Sequence, residues 1–497
     1  MNIRYLTIKV AKGNDEVTEK IVCKNCQAEL NPLQRSHTCP QCSATSVEYN
    51  FDFTETDLAI KNSEKGIWRY RSFLPHFEKT ISLGEGQTPL RKALHLFQDK
   101  INLFLKIEGS NPTGSYLDRV SPLMVSDAMN RNMQSLVCAS DGNLGASLSA
   151  YCAAAQIKCF CVAPKSTSPE KRTQMLAYGA EVIDYGETID DSLDLAVKMI
   201  EKGRYQATPE FNILTIEGAK TVSLEIVEQQ NTFGSLQELE YIIAPMGSGG
   251  LLYSIWKGLK QAKEFKLIPS NVKFPKIIGV QVEGYDSITK SFDDGNSIQE
   301  ITKKNISKNK LADAIMVRNP IFGEKAVQSI KESNGIAISV SEKEIIAASK
   351  LLGKKEGIFA ELSSATVIAA VDNLLKEKIL PQNATILAII TASGMKTSRA
   401  FQKSTSQDKK VESLRSMGTK IEILKTIKSK DSNFGYGIWK SLGQLISLQA
   451  VYQHLKELQI RELIIEIETN DRQKRYSVTT KGKQLIKKMN ELEELLS

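Results

Sequence analysis

Residues 105–119 of the chain read Leu-Lys-Ile-Glu-Gly-Ser-Asn-Pro-Thr-Gly-Ser-Tyr-Leu-Asp-Arg. The polar, glycine-containing part of this stretch lies between a short apolar segment, 103–107, and a longer amphipathic one, 120–130. The first has the length of a buried strand and the second the length of a helix. Short apolar and helix-length segments continue to alternate from about residue 51 to 400, which predicts an α/β protein with largely parallel sheets.

Six further strands are predicted where apolar residues cluster between polar turns: 135–139, 158–163, 181–184, 241–244, 276–282 and 385–391. Helices are predicted at 143–155 and 169–178, the second of which follows Ser168 and begins with Pro169. Gly-rich turns follow two of the strands directly, at 140–143 and 247–250. Because α/β sheets usually bind ligands at such turns, we expect a ligand site there.

Several other short motifs occur in order along the same region: Gly84-Glu-Gly-Gln-Thr-Pro-Leu90, Ser140-Asp-Gly-Asn-Leu-Gly145, Gly247-Ser-Gly-Gly250, Glu361-Leu-Ser-Ser-Ala365 and Thr391-Ala-Ser-Gly-Met-Lys396. Together with residues 105–119 they resemble threonine synthases and the wider fold-type II pyridoxal-phosphate enzymes. The resemblance implies a two-domain parallel-sheet core at 51–400, with a smaller subdomain at about 120–215. It also implies pyridoxal phosphate as cofactor.

The resemblance assigns a role to each of these motifs. Gly247, Ser248, Gly249 and Gly250 would hold the cofactor's phosphate with backbone N–H groups at a helix N-terminus. Asn143 would bond the phenolic oxygen, and Thr391 would lie beside the ring nitrogen. The substrate would meet Thr88, Ser140, Asp141 and Gly142.

Leu117 is the main departure from the family pattern, which has lysine between the aromatic residue and the Asp-Arg pair. That lysine forms the Schiff base and moves protons at the substrate carbons, and leucine can do neither. Lys106 matches a separate lysine of the family and is no substitute. We therefore predict that no residue supplies the usual catalysis and that any bound cofactor is held non-covalently.

Asp141 is a second departure, because the family usually has Ser or Thr in this substrate-carboxylate loop. Two carboxylates repel unless a proton or a cation intervenes, so ordinary amino-acid recognition is in question. Alternatively, Asp141 points to solvent or caps the following helix.

The eight cysteines fall into two groups. Cys23, Cys26, Cys39 and Cys42 form two Cys-x-x-Cys pairs separated by twelve residues, the spacing of a closed tetrahedral zinc site. We predict a zinc ribbon over residues 1–50, begun by a strand pattern at Ile3, and favour a structural role over nucleic-acid or partner contact. The other four cysteines lie singly in apolar segments, as buried thiols do in a reducing compartment.

The C-terminal segment 413–497 carries 15 Lys and Arg against 10 Asp and Glu, after a polar stretch at 401–412 that predicts a linker. Its motifs, including Phe434-Gly-Tyr-Gly-Ile-Trp439 and Arg475-Tyr-Ser-Val-Thr-Thr-Lys-Gly482, resemble winged-helix repressors of the PadR type. Helices are predicted at 419–428, 436–442 and 447–458, and wing strands at 463–467 and 476–478. The resemblance implies double-stranded DNA as partner, contacted by Gln449, Gln453, Lys456, Arg472, Lys474 and Arg475. A winged helix used only for protein contacts is the alternative.

The sequence shows no run of about 18 apolar residues and no secretory leader, so we expect a cytoplasmic protein without membrane contact. A leucine and methionine stripe over 480–496 suggests a homodimer. The combined expectation is a metabolite-sensing regulator that binds an amino acid or a phosphorylated metabolite. Two alternatives stay open: an active threonine synthase with an accessory winged helix, and a cavity collapsed around Leu117 that serves as a dimer scaffold.

Overall fold

The computed structural model describes the following residues: 18–31, 33, 35–52, 60–140, 142–200, 203–301, 311–399, 406–429, 433–443, 446–467 and 474–496. The chain divides into two compact units, residues 1–401 and 402–497. Each unit is described by itself.

The described strands belong to four sheets, and in chain order they are β1 (Thr18–Cys23), β2 (Glu29–Leu30), β3 (Val47–Asp52), β4 (Leu90–Lys92), β5 (Asn102–Ile107), β6 (Ser135–Ala139), β7 (Lys158–Ala163), β8 (Glu181–Asp184), β9 (Tyr205–Gln206), β10 (Tyr241–Pro245), β11 (Lys276–Val282), β12 (Ile336–Val340), β13 (Thr385–Ile390), β14 (Ile464–Ile467) and β15 (Arg475–Val478). All seven strands predicted between residues 103 and 391 are present, with ends that differ by at most one residue.

The largest sheet has the order β12-β11-β10-β13-β5-β4. Its pairs are parallel except for the edge pair β4–β5, and its central strands are fully buried apolar runs, as sheets covered on both faces require. A second, wholly parallel sheet has the order β8-β7-β6-β9 and lies inside the predicted smaller subdomain. The α/β prediction for residues 51–400 is confirmed.

The described α-helices cover the sheets or form the C-terminal unit: α1 (Ser121–Asn130), α2 (Asn143–Ala155), α3 (Pro169–Ala177), α4 (Ile189–Ile200), α5 (Leu214–Ala219), α6 (Thr221–Glu228), α7 (Gly250–Glu264), α8 (Ser287–Asp294), α9 (Gly323–Glu332), α10 (Glu342–Glu356), α11 (Leu362–Lys376), α12 (Ser406–Ser429), α13 (Gly435–Ser441), α14 (Leu448–Ile460) and α15 (Thr480–Leu496). The helices predicted at 120–130, 143–155 and 169–178 are α1, α2 and α3. Among these described helices, none has the length and apolar character that crossing a membrane requires.

The N-terminal part of the first unit is a small antiparallel sheet of order β2-β1-β3. The strand pattern predicted around Ile3 lies outside the described residues. The small sheet is attached to α1, because the Arg35 guanidinium donates two hydrogen bonds of 2.7 Å to Asp127. Its His37 ring lies edge-on to Phe322, with the two ring centroids 4.7 Å apart. Such buried contacts indicate a structural attachment.

The second unit is built from α12, α13, α14 and α15 with the antiparallel hairpin β14–β15. Its core is apolar and includes Ile423, Val451, Leu455 and Ile464. The helices and strands predicted here are found within a few residues of their predicted ends, except that α12 begins at Ser406. Residues 406–412, predicted as linker, are therefore helical, because the charged stretch continues the helix that leads into the core.

Candidate functional site

The sequence motifs of the first unit converge on one cavity of about 420 Å³. Each follows the carboxyl end of a strand: Leu117 follows β5, Asn143 follows β6, residues 247–250 follow β10, and Thr391 follows β13. Parallel strands bring these ends to the same edge, which is where α/β sheets bind ligands. The open cavity argues against the collapse around Leu117 that we considered as an alternative.

The turn that carries Leu117 is anchored by the two residues that follow it. Asp118 accepts hydrogen bonds from the backbone N–H and hydroxyl of Thr113, both at 2.7 Å. The fully buried Arg119 donates to Glu108 at 2.7 Å and to Glu225 at 2.9 Å. Despite burial, the nearby Arg119 charge holds the pKa of both carboxyl groups below the ordinary value. The turn is thus held by buried ionic groups.

The same turn is hydrogen-bonded to the segment after β13. The N–H of Tyr116 donates to the carbonyl of Thr391 at 3.0 Å, and the N–H of Ser393 donates to the carbonyl of Gly114 at 2.9 Å. These bonds leave the half-buried Leu117 side chain lining the cavity beside Thr391. An aliphatic side chain therefore stands where the family has its amine.

Residues 247–250 form a glycine-rich turn at the N-terminus of the fifteen-residue helix α7. Gly249 has φ +89°, and a Cβ there would lie 2.8 Å from the carbonyl oxygen of Phe322. A Cβ on Gly247 would lie 3.0 Å from Cα of Ile315. Only glycine fits these positions, and the first-turn N–H groups of α7 have no partner inside the helix. This turn suits a phosphate group.

Asn143 and Thr391 present polar atoms to the cavity. The Asn143 amide nitrogen donates to Glu361 at 2.8 Å, whereas its amide oxygen is buried without a hydrogen-bond partner. The Thr391 hydroxyl lies 2.7 Å from the Ser364 hydroxyl. Neutral polar groups in these places fit the phenolic oxygen and the ring nitrogen of pyridoxal phosphate. The residues present therefore match that cofactor, apart from the missing amine.

No lysine occurs among the described residues that line the cavity. Three buried lysines lie nearby, and each has other partners. Lys106 donates to the carbonyl of Thr88 and pairs with Glu225. Lys396 donates to the carbonyl of Thr113 and to Gln174, both at 2.8 Å, and burial lowers its pKa to about 8. Lys171 pairs with Asp313 and Glu361.

The predicted substrate residues are only partly brought together. Ser140 lines the cavity, with its hydroxyl accepting the N–H groups of Gly142 and Gly145 at 3.0 and 2.9 Å. Gly142 has φ +140° but does not line the cavity. Thr88 does not line it either, because its hydroxyl donates to Glu108 at 2.7 Å within the buried ionic cluster. Asp141 lies outside the described residues.

Sequence reasoning missed three charged residues at the cavity. Asp313 and Arg318 line it directly, and Lys171 lies behind Asp313 and Glu361. Arg318 pairs with Asp190, whose carboxylate is 2.7 Å away. Asp313 and Arg318 belong to a segment outside the quoted motifs, and the Glu361 motif came without an assigned role. No local pattern distinguishes these residues from surface charges.

The four N-terminal cysteines come together as predicted. Their Sγ atoms all lie within 4.8 Å of one another, with Cys23 to Cys42 at 3.6 Å and Cys26 to Cys39 at 3.8 Å. A tetrahedral site with Zn–S bonds of about 2.3 Å needs sulfur atoms about 3.8 Å apart. The donor set and spacing fit a zinc ion. With four thiolate ligands the site would keep no open coordination position.

The predicted DNA-contacting residues lie on two elements of the second unit. Gln449, Gln453 and Lys456 are exposed on α14, where their spacing places them on one face. Lys474 is exposed and pairs with Glu466 at 3.1 Å, and Arg475 begins β15. Arg472 lies outside the described residues.

The fold and the cavity define a fold-type II pyridoxal-phosphate core. A sequence model described as "Pyridoxal-phosphate dependent enzyme" matches residues 81–392, and the chain belongs to this family. The threonine synthase of Methanocaldococcus jannaschii is 33% identical over 398 residues, which cover 78% of this chain and 96% of that protein. The threonine synthase of Methanosarcina acetivorans is 32% identical over 375 residues, or 74% and 90% of the two chains.

Solved structures agree with the fold. A threonine deaminase from the organism abbreviated T.th. superimposes with a TM-score of 0.50 at 26% identity, covering 62% of this chain and 92% of that one. A processed threonine deaminase isoform 2 from Solanum lycopersicum has a TM-score of 0.53 at 22% identity, covering 71% and 98%. The second likeness bears on the fold alone.

Proposed function

We propose that the first unit binds pyridoxal phosphate without a covalent link and serves as a small-molecule receptor. Leu117 carries the proposal, since its aliphatic side chain lines the cavity and no described lining residue is a lysine. A side chain that transfers a proton in the transition state typically contributes about 10²- to 10⁴-fold in rate. Without it, the reaction of the relatives loses both its covalent tether and its proton carrier.

The residues that would hold the cofactor are those that line the cavity. Backbone N–H groups of Gly247, Ser248, Gly249 and Gly250 would bind its phosphate, Asn143 its phenolic oxygen and Thr391 its ring nitrogen. When bound, the cofactor supplies an electron sink for charge at a substrate carbon. In this chain Ser140 and its neighbours would orient an amino acid or a phosphorylated metabolite beside it.

We propose that the second unit is a winged helix of the PadR type that binds double-stranded DNA. The exposed face of α14 with Gln449, Gln453 and Lys456 suits base edges in the major groove. The β14–β15 hairpin has the position of a wing, whose cations, Arg472, Lys474 and Arg475, would contact phosphates. The receptor would then regulate transcription, and a homodimer paired through 480–496 would match a palindromic site.

We further propose that the four cysteines hold zinc as a structural site. The buried contacts of Arg35 and His37 with the rest of the unit support this role.

An active threonine synthase is the second candidate function. It is favoured by the similarity to threonine synthases along 96% of the M. jannaschii protein. Under this hypothesis the second unit is an accessory, and an amine from outside the cavity lining takes over from Leu117.

Two measurements on the full chain test these proposals. Pyridoxal phosphate should raise the melting temperature as its concentration passes the dissociation constant, and borohydride should leave no covalent adduct. Release of phosphate from phosphohomoserine at enzymatic rates would instead support the second candidate. For the second unit, Lys456→Gln should weaken DNA binding and reduce the slope of log K against log salt by about 0.9 if it contacts one phosphate.

A further inference from the structure

The cavity of this chain is lined mainly by acidic residues. Its described lining contains one basic side chain, Arg318, which already pairs with Asp190, and five acidic side chains: Glu187, Asp190, Glu210, Asp313 and Glu361. A cleft lined by one sign of charge raises the local concentration of ligands of the other sign. The negative lining therefore favours a cationic ligand.

The inner wall of the cavity concentrates this charge. The ammonium of Lys171 lies 3.0 Å from a carboxylate oxygen of Glu361 and 3.1 Å from one of Asp313. Two carboxylates thus share one cation, and the group of three keeps a net negative charge. Glu361 is almost fully buried, whereas the Asp313 side chain is 29% exposed. Burial raises the pKa of Asp313, and the neighbouring Glu361 charge raises it further despite Lys171.

A separate observation points to a hydrogen-bond donor at the same wall. Asn143 is 6% exposed and lines the cavity. Its amide nitrogen donates to Glu361, and this bond fixes which end of the amide carries the oxygen. The oxygen has no hydrogen-bond partner. A buried acceptor costs free energy unless a donor meets it, so the ligand should bring an N–H group.

We infer that Asp313, Glu361 and the amide oxygen of Asn143 form a receptor for an ammonium group, so that the ligand held beside the cofactor is a dibasic amino acid or a diamine. The second amide hydrogen of Asn143 stays available for the cofactor's phenolic oxygen. An anionic ligand would meet two carboxylates at this wall and would have to draw Arg318 from Asp190. This inference rests on the proposed cofactor site and adds the class of ligand.

Binding should be measured by calorimetry on the full chain saturated with pyridoxal phosphate. The ligands are lysine, its uncharged analogue norleucine, 1,5-diaminopentane and O-phosphoserine. One charge-assisted hydrogen bond corresponds to about tenfold in affinity, so lysine should bind at least about tenfold more tightly than norleucine. O-phosphoserine should bind less tightly than norleucine. Diaminopentane as tight as lysine would identify the diamine as ligand, and weaker binding would identify the amino acid.

Variants connect the preference to the wall. Asp313→Asn should reduce the ratio of lysine to norleucine affinity several-fold. Lys171→Met removes the competing cation and should increase that ratio. Asp372→Asn is the matched control, because Asp372 also pairs with a lysine but lies exposed on α11, and this variant should keep the native ratio.

The outcomes separate this inference from the proposed function. Equal binding of lysine and norleucine, tighter binding of O-phosphoserine, or an unchanged ratio in Asp313→Asn would overturn the ammonium receptor while leaving the cofactor site intact. Absence of pyridoxal-phosphate binding to the native chain would overturn the proposed function itself.

Discussion

Replacing Leu117 by lysine is the most direct perturbation of the candidate site. The side chain lines the cavity, and the turn that carries it is fixed by Asp118, Arg119 and the bond from Tyr116 to Thr391. A lysine in that turn should direct its amine to the aldehyde of bound pyridoxal phosphate. We expect Leu117→Lys to form a covalent adduct that absorbs visible light and is trapped by borohydride.

The fold should tolerate this change. Full burial of a leucine side chain stabilises a protein by about 1.5–3 kcal/mol, and Leu117 is only partly buried against the main core. The lysine stem keeps part of the apolar contact, so the loss should be about 1 kcal/mol. For a unit of this size the melting temperature would fall by no more than about 2–4 °C.

Leu117→Met is the matched control, because methionine has a similar length and no amine. Mass spectrometry after borohydride treatment should find the modified residue 117 in the lysine variant and no adduct in the native chain or the methionine variant. The reasoning fails if all three chains are trapped equally. It also fails if the lysine variant gains thermal stability from the cofactor but is never trapped, since Leu117 would then not face the aldehyde.

Three further predictions follow from the buried charges and the cysteines. Glu225→Gln should reduce the free energy of unfolding by about 3–5 kcal/mol in denaturant titrations, because Lys106 and Arg119 lose a buried partner, while Glu181→Gln in an exposed pair should change it by less than about 1 kcal/mol; similar losses would contradict this. Elemental analysis should find about one zinc ion per native chain and none bound in Cys39→Ser, and native protein purified under reducing conditions without metal would contradict the zinc site. Lys396 has a folded pKa of about 8, below its unfolded value of 10.5, so the unfolded state binds more protons between these pH values and stability from this group should rise with pH there. Lys396→Met should lose that rise relative to the native chain, and parallel stability curves from about pH 8 to 9.5 would refute it.

The sequence by itself determined the framework of the first unit. Apolar runs such as 276–282 and 385–391 have the length and composition of buried parallel strands, so local pattern was enough to place them. The identity of residue 117 could also be stated from sequence, because the motif around it is contiguous. The four cysteines likewise carry their spacing along the chain, and the structure brings their sulfur atoms together.

Other features depended on contacts between distant residues. Thr88 belongs to a recognisable motif, yet a carboxylate 137 positions away occupies its N–H, and it does not line the cavity. The acidic wall joins Lys171 to Asp313 across 142 positions and Asn143 to Glu361 across 218. Isolated charges at such separations look like solvated surface residues until the sheets bring their loops together. Only the tertiary structure therefore decided which charges face the cavity, because burial and pairing arise from packing and not from local sequence.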